Sequence, residues 1–231
     1  MKLVLLIFLV SQLSQDFLRK VARRDLNGDG IEENIRLVFA DQEGNFTINI
    51  GSIEYSNKLG DSVDGFILVD VNENDKFLEV AIHTPGPSDD DEYLILRYKG
   101  NEIKVLGKLA RWPYFMRNGI VYVDDWMGFW KKREKFVLNP KTEQLEKVPQ
   151  EFYYVGIEAT VVKSFPIYKT RENKEVVANL KGKSKILIIL CDPSDSNTFK
   201  HQYLIKSESG ILGWASLESF EDKLEGLPWA D

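Results

Sequence analysis

The chain has 231 residues, of which 43% are hydrophobic and 12% are aromatic, and it carries a formal net charge of -6. This composition is typical of a globular protein and excludes a disordered chain. The length allows one large all-β domain or two ordinary ones. The acidic balance argues against a nucleic-acid partner, because nucleic acid requires a basic surface.

The N-terminus reads MKLVLLIFLVSQLSQ, with one lysine followed by an apolar run from Leu3 to Val10. This run is too short to span a bilayer, so no transmembrane span is predicted, but it suits the apolar core of a secretory signal. We therefore expect a signal peptide at residues 1–15 and a secreted or cell-envelope-associated protein. The alternative is that the run forms a buried first strand of the fold.

The next segment, DLNGDGIEEN, places oxygen-bearing side chains at alternate positions ahead of a glycine. Calcium prefers six to eight oxygen ligands in flexible geometry, and such a loop supplies several of them. The position where a helix-loop-helix calcium site has its last glutamate is Arg36, so the loop is predicted to lie between strands. An ion-free turn rich in Asp, Asn and Gly is the alternative. The candidate calcium ligands are Asp25, Asn27, Asp29, the backbone carbonyl of Ile31, and Glu33.

A second acidic loop, DVNENDKFLEV, follows 45 residues later with looser spacing. Together the two loops indicate an internal repeat of strand, acidic loop and strand. The second loop is a weaker calcium candidate, because an aspartate replaces the turn glycine and the last acid stands one position late. Its candidate ligands are Asp70, Asn72, Asn74, Asp75 and Glu79.

Strand signals continue along the chain to Pro140, as short β-rich runs separated by Gly, Asn and Asp. The run RYKGNEIKV predicts a tight hairpin that turns at Gly100 and Asn101. The acidic run from Ser88 to Glu92 is interpreted as a solvated turn, with a cation site or an acidic contact patch as the alternative. An aromatic group is predicted to be core or interdomain packing, or else a carbohydrate or peptide platform. This group comprises Trp112, Tyr114, Phe115, Tyr122, Trp126, Phe129 and Trp130.

The first loop resembles the loop of FG-GAP or VCBS-type repeats of secreted and surface proteins. In that family such loops hold calcium between strands of a propeller blade, so the resemblance implies calcium at the first loop. Two repeats cannot close a propeller, and we therefore expect an antiparallel β-meander that is only partly propeller-like over residues 16–150. The segment from VDVNENDKF to RYKGNEI also resembles clostridial secreted proteins of unknown function, which pair this region with a C-terminal Src-homology-3-like module.

The polar stretch KTEQLEKVPQ predicts a domain joint near residue 150. Beyond it, FPIYKTRENKEVVANLKGKSKILII and YLIKSESGILGWASLESF resemble the bacterial Src-homology-3-like domain, which implies a small β-barrel over residues 151–231. In that family such domains bind cell-wall peptides or other extended ligands. Three aromatics are expected near a ligand groove, with core packing as the alternative for each. They are Tyr168, Tyr203 and Trp214.

Catalytic signals are weak. The chain has two histidines, His83 and His201, without a serine elbow, a phosphate loop or a metalloprotease motif. Cys191 follows five apolar residues and is predicted to be a packed core residue. The sequence therefore predicts an exported, non-catalytic protein that binds calcium and a cell-wall peptide or envelope protein. The alternative is a secreted hydrolase, with Asp124 in a carboxylate pair, delivered to the wall by the C-terminal module.

Overall fold

The computed structural model describes residues 18–39, 43–87, 90–172 and 175–229. Its regular structure is almost entirely antiparallel β-sheet, which confirms the all-β prediction. The helical turns are short, such as α1 at Leu217–Phe220. Within the described ranges, no helix has the length and apolar character that a membrane span requires. The predicted signal peptide at residues 1–15 lies outside the described residues, as do Ser88 and Asp89 of the acidic run.

The first sheet is a four-stranded antiparallel meander in which the strands pair in chain order. Its second strand alternates buried and exposed positions, since the isoleucine and leucine of ENIRLVF point to one face and the asparagine and arginine to the other. The period of two is the pattern of a strand with one face on a core. The strands are β1 Val21–Arg24, β2 Glu33–Phe39, β3 Asn45–Ile50 and β4 Ile53–Lys58.

The second sheet repeats this arrangement, again with the strands paired in chain order. All six residues of its second strand, EVAIHT, are buried. The two sheets share one core, in which Ile35 and Ile48 of the first pack with Phe66 and Val80 of the second. The strands are β5 Gly65–Val69, β6 Glu79–Thr84, β7 Glu92–Tyr98 and β8 Ile103–Ala110.

A third sheet has the order β12-β11-β10-β9. The chain forms two compact units, and it crosses from one unit to the other within the strands of this sheet. The first unit runs to Val121 and includes Val137–Glu146, and the second comprises Tyr122–Phe136 and the chain from Lys147 onward. The sequence assigned residues 122–136 to the first domain, whereas Phe129 and Trp130 pack in the core of the second unit. The strands are β9 Pro113–Phe115, β10 Ile120–Trp126, β11 Lys131–Asn139 and β12 Gln144–Val148.

The second unit is built on a seven-stranded antiparallel sheet with the order β15-β14-β18-β17-β16-β13-β19. This order has two ends, so among the described residues the hydrogen-bonded strands do not form the closed barrel that the sequence predicted. A register shift between Tyr154 and Ile157 interrupts the pairing of the longest strand. The strands are β13 Tyr153–Val161, β14 Phe165–Tyr168, β15 Val176–Leu180, β16 Lys185–Asp192, β17 Gln202–Ser207, β18 Leu212–Ser216 and β19 Leu224–Glu225.

Cys191 lies in the core of this unit and is fully buried, as its apolar run predicted. Burial raises the pKa of its thiol to about 12, so the reactive thiolate form is absent at neutral pH. Cys191 is therefore a packing residue.

Candidate metal and ligand-binding sites

The first acidic loop, between β1 and β2, folds around the carboxylate of Asp25. Its two oxygens accept hydrogen bonds from the backbone N–H groups of Gly28, at 2.8 Å, and Gly30, at 2.9 Å. Both glycines have positive φ, which a side chain would disfavour, so the sequence DLNGDG is suited to this turn. The bond from Gly30 contributes most to holding the pKa of Asp25 below its ordinary value.

Asn27 and Asp29 complete the loop through bonds to its own backbone and to each other. The Asn27 side-chain oxygen accepts from the Asp29 N–H at 2.9 Å, and an Asp29 oxygen accepts from the Ile31 N–H at 2.8 Å. The second Asp29 oxygen accepts from the Asn27 amide at 2.9 Å. These are Asx-turn contacts, in which a side-chain oxygen binds the backbone two residues on.

Glu33 is the buried carboxylate of the first loop's predicted ligand set, with 7% of its surface exposed. One carboxylate oxygen accepts from the Leu26 N–H at 2.8 Å, and the other lies 3.4 Å from the Asn27 amide nitrogen. In the part of the chain that the structure describes, no cationic side chain forms an ion pair with Glu33. Its described hydrogen-bond partners are therefore neutral N–H donors.

The second loop, between β5 and β6, repeats the central contact of the first. A carboxylate oxygen of Glu79 accepts from the Val71 N–H at 3.0 Å, as Glu33 does from Leu26. In each loop the acid at the start of the second strand therefore binds the amide of the residue after the first aspartate. The internal repeat indicated by the sequence is present in the hydrogen bonding.

The two loops differ in charge compensation, because Arg97 of β7 enters the second loop. Its guanidinium donates to a Glu79 oxygen through Nε at 2.8 Å and Nη2 at 2.6 Å, and to Asp75 through Nη2 at 3.0 Å. It also lies 4.6 Å from the centre of the Phe77 ring. This loop therefore contains its own cation.

The remaining candidate ligands of the second loop also have protein partners. Asp70 Oδ2 accepts from Arg117 Nη2 at 3.0 Å, while its buried Oδ1 has no hydrogen-bond partner among the described residues, and the backbone of Asn72 forms an isolated β-bridge with Asn118. The Asn74 amide nitrogen lies 3.4 Å from the Asn72 side-chain oxygen. With Asp75 and Glu79 paired to Arg97, the charge that a metal would supply is already present.

The donor chemistry of the first loop fits a hard cation such as calcium. It offers carboxylate, amide and carbonyl oxygens within one turn, which are the ligand types that calcium prefers. Within the described ranges, no group of three or more His, Cys, Asp or Glu side chains is arranged to hold a metal. A cation at this loop would therefore rely on Asn27, the Ile31 carbonyl and water in addition to the carboxylates.

In the second unit, the structure brings together two of the three aromatics predicted to lie at a ligand groove. Tyr168 of β14 and Trp214 of β18 are cross-strand partners, and both side chains are half-buried. Tyr203 instead pairs with Ala215 on the opposite face of the sheet and is fully buried. Its hydroxyl accepts a hydrogen bond from Trp130 Nε1 at 3.3 Å. Tyr203 is therefore a core residue and does not join the predicted groove.

The outer face of the seven-stranded sheet carries a longer row of large side chains than the sequence indicated. Successive cross-strand pairs join Tyr154 to Leu190, Leu190 to Leu204, and Leu204 to Trp214. Cross-strand partners lie side by side on one face, so these residues and Tyr168 form a continuous row over five strands. We call this set the aromatic row. Its members are Tyr154, Leu190, Leu204, Trp214 and Tyr168.

Arg171 packs against Trp214 of the aromatic row and against Phe152. Its guanidinium lies 5.7 Å from the centre of the Trp214 ring and 5.0 Å from that of Phe152. It also donates to the buried carboxylate of Asp192. Burial acts to raise the pKa of Asp192, but bonds from Arg171 and Ser194 outweigh it and hold this pKa below its ordinary value. Asp192 is therefore ionised at neutral pH.

A polar cavity of about 330 Å³ opens beside Arg171. Four carboxylates and two cationic side chains line it, so its net charge is negative and it suits a positively charged group. The lining residues are Arg171, Glu172, Asp192, Ser194, Asp195, Lys200, Gln202 and Glu218.

The predicted aromatic group around residues 112–130 is divided between different environments. Trp112 packs at 5.1 Å from the Tyr93 ring, while Phe129 and Trp130 are buried in the core of the second unit. Tyr122 lines an open groove, and Trp126 is 37% exposed. These residues therefore do not form one platform.

Both histidines are buried and contact oxygen atoms of neighbouring residues. His83 is buried, with Nδ1 at 2.6 Å from an Asp64 oxygen and Nε2 at 3.5 Å from an Asp91 oxygen. The sequence did not indicate the Asp64 contact, because these residues meet only through the pairing of β5 with β6. His201 is also buried, with Nε2 at 2.9 Å from the Asp195 carbonyl oxygen.

Asp124, the carboxylate named in the hydrolase alternative, is bound by Arg133 through two contacts of 2.7 Å. Arg133 therefore occupies both oxygens of Asp124.

Comparisons with family models, with curated proteins and with solved structures found no match to this chain, so both sites are interpreted from their own geometry.

Proposed function

We propose that this is an exported, non-catalytic binding protein whose second unit binds an extended cell-envelope peptide or protein along the aromatic row. The observation that carries this proposal is the row itself, which places large apolar side chains side by side on the outer face of a sheet. Tyrosine and tryptophan supply contact area at low entropic cost and are enriched at binding surfaces.

The polar cavity beside Arg171 predicts the charge of the proposed ligand. Asp192 pairs with Gln202 beside the Leu190–Leu204 pair, so a ligand on the aromatic row would lie next to this cavity. A positively charged group, such as an amine, complements this negative cavity. We therefore expect the ligand to be extended, partly apolar and cationic at one end.

We also propose that a calcium ion stabilises the first unit at the loop from Asp25 to Glu33. The resemblance to FG-GAP or VCBS-type loops and the uncompensated charge of Glu33 support this assignment. The Arg97 contacts argue that the second loop does not need an ion. Calcium bound at this loop would stabilise the fold of the first unit, which is consistent with a protein that works outside the cell.

The experiment that tests ligand binding is a pull-down of the full chain on purified cell wall, followed by titration of released wall peptides. Trp214→Ala removes the ring between Leu204 and Tyr168 and should weaken binding. Trp126→Ala is the matched control, because Trp126 is an exposed tryptophan of the same unit that lies outside the aromatic row. If both variants retain full binding, or both lose it equally, the aromatic row is not the binding surface.

The hydrolase alternative predicts that released wall fragments change size on incubation with the protein. Chromatography of the same wall preparation after incubation decides between the two functions. Fragment release that is abolished by Asp124→Asn would establish the hydrolase and overturn the non-catalytic proposal.

A further inference from the structure

A second open groove, of about 710 Å³, lies in the second unit beside the first half of β13. One part of its lining comes from β13 itself, between Tyr153 and Ile157. The other part comes from β10 and β11, through Tyr122, Asp124 and alternate residues of β11. The groove shares Tyr154 with the aromatic row, but the rest of its lining has no role in the function proposed above.

The edge of β13 that borders the groove is unpaired. β16 pairs with one edge of β13, and β19 pairs with the other edge only at Thr160 and Val161. Among the described residues, no other strand is hydrogen-bonded to β13. An unpaired edge presents backbone N–H and C=O groups that can accept an added strand.

The facing strand, β11, presents three cations at alternate positions. They are Lys131, Arg133 and Lys135, and all three line the groove. Arg133 is bound to Asp124, which is the one carboxylate of the lining, but the described residues give Lys131 and Lys135 no ion-pair partner. In a chain with net charge -6, this groove is a local positive surface.

The spacing of these cations matches a β-strand. Residues two apart on a strand point the same way and are separated by about 6.8 Å. An extended peptide lying along β13 presents its alternate side chains at the same interval. Acidic side chains at every second position of the peptide would therefore have the same spacing as Lys131, Arg133 and Lys135.

Tyr154 forms an exposed apolar wall of the groove, with 77% of its surface accessible. Its ring lies across Gly156, where an added Cβ would be 2.5 Å from ring atoms. Gly156 also has a φ of 69° and sits in the register shift of β13. The glycine thus allows the ring to lie along the strand beside the open edge.

We propose that this groove binds an acidic, extended peptide segment of a partner protein by strand addition to β13. The backbone of the peptide pairs with the free edge between Tyr153 and Ile157, and its alternating carboxylates pair with the cations of β11. Strand addition obtains affinity from main-chain hydrogen bonds and specificity from alternate side chains. The proposal shares Tyr154 with the aromatic row but rests on the free edge of β13 and the cations of β11, which lie outside that row.

The test titrates the full chain with synthetic peptides while fluorescence anisotropy is recorded. The probe alternates glutamate and valine over eight residues, and it should bind more tightly than a peptide with glutamine for glutamate. It should also bind more tightly than a peptide of the same composition with its glutamates in one block. Binding should weaken with added salt, because the screening length at 0.1 M is about 10 Å.

Substitutions test whether the peptide binds at the cations of β11. Lys131→Gln combined with Lys135→Gln should weaken binding about tenfold, as expected for the loss of two surface ion pairs. Lys181→Gln is the matched control, since Lys181 is an exposed lysine of the same unit outside the groove, and it should leave binding unchanged. Trp214→Ala should also leave binding of the acidic peptide unchanged. A failure of this proposal can therefore be distinguished from a failure of the proposed binding at the aromatic row.

Methylation of the peptide backbone tests strand addition itself. The amides of alternate residues face the same edge, so methylating one alternate set should abolish binding while methylating the other set is tolerated. Equal effects of the two methylation patterns, equal binding of the alternating and block peptides, or an unchanged affinity in the double lysine variant would overturn the proposal. Preferential binding of a polyanionic glycan through the same lysines would overturn it as well.

Discussion

The carboxylate of Glu79 lies 2.6 Å from Nη2 of Arg97, and the two side chains are 0% and 4% exposed. Burial is the largest influence on Glu79 and raises its pKa above the ordinary value, although Val71 and Arg97 act in the opposite direction. The pair occupies the position in the second loop that corresponds to Glu33 in the first. Arg97 therefore compensates the buried glutamate of the second loop, whereas no cationic side chain among the described residues does so for Glu33 in the first.

Arg97→Met should strongly destabilise the first unit, because it leaves Glu79 buried without its partner. Removing one member of a buried ion pair costs about 3–5 kcal/mol. Adding Glu79→Gln should recover much of the loss, since glutamine keeps an oxygen for the Val71 N–H. Urea unfolding measures both variants, and Arg36→Met, at an exposed strand arginine, is the control that should change little. Similar losses for Arg97→Met and Arg36→Met would contradict this account.

The destabilisation by Arg97→Met should depend on pH. Without Arg97, the pKa of Glu79 rises further, so its folded-state pKa lies above the unfolded value. A carboxyl group with a raised folded-state pKa favours the folded state below the unfolded pKa of about 4.5 and loses this contribution as pH rises. The difference between Arg97→Met and the parent chain should be larger at pH 7 than at pH 4. A difference that grows as pH falls would contradict the burial of Glu79.

Calcium should raise the melting temperature of the first unit, and a chelator should lower it. Binding to the folded state alone stabilises it by about 2.7 kcal/mol when free calcium is a hundred times the Kd. Asp25→Asn with Asp29→Asn should abolish the calcium response, whereas Asp75→Asn, in the loop that Arg97 occupies, should retain it. Coincident melts of the parent chain in calcium and in chelator would leave the first loop as a hydrogen-bonded turn.

Glu143 should stabilise the first unit at neutral pH and lose this effect in acid. Hydrogen bonds from Lys104 and Lys99 lower its pKa to about 2. A carboxyl group with a lowered folded-state pKa contributes stability above its unfolded pKa, and that stability is lost as pH falls toward 2. Glu143→Gln should therefore lower the melting temperature at pH 7, and the difference should disappear near pH 2. The control is Glu102→Gln, whose carboxylate lies 3.9 Å from Lys99 and is well exposed.

Export is a separate prediction. If residues 1–15 are a signal peptide, mass spectrometry of the exported protein should find a mature start after about Ser14. Recovery of exported protein that still begins at Met1 would show that this segment is not a cleaved signal.

Much of the N-terminal fold could be predicted from local sequence, because strand period and turn chemistry act over a few residues. The run NFTINI corresponds to β3 at Asn45–Ile50, and the hairpin turn at Gly100 and Asn101 connects β7 with β8. The candidate ligands of both loops were also selected from spacing alone, and whether they bind a metal stays a prediction. What spacing cannot show is Arg97, which reaches Asp75 and Glu79 from a strand that pairs with β6 only in the folded sheet.

The sequence left the position of Tyr203 open between a ligand groove and the core, although the strand pattern could have decided for the core. In the strand QYLIKS, Lys206 and Leu204 share one face, and a lysine marks the solvent side. Tyr203 and Ile205 must then face the core. The assignment of residues 122–136 to the second unit had no comparable local signal, because it depends on the packing of Phe129 and Trp130 against Tyr203.

The backbone-to-glutamate hydrogen bond that occurs in both loops can serve as an internal reference in a hydrogen-exchange experiment. The amides of Leu26 and Val71 are both in fully buried residues, and each donates to the equivalent glutamate of its own loop. Global opening of the first unit exposes both amides together, so it cancels from the ratio of their exchange rates. An event confined to the first loop changes that ratio. Two deuterium-incorporation curves, recorded on one unmodified sample, thus separate the state of one loop from the stability of the whole unit.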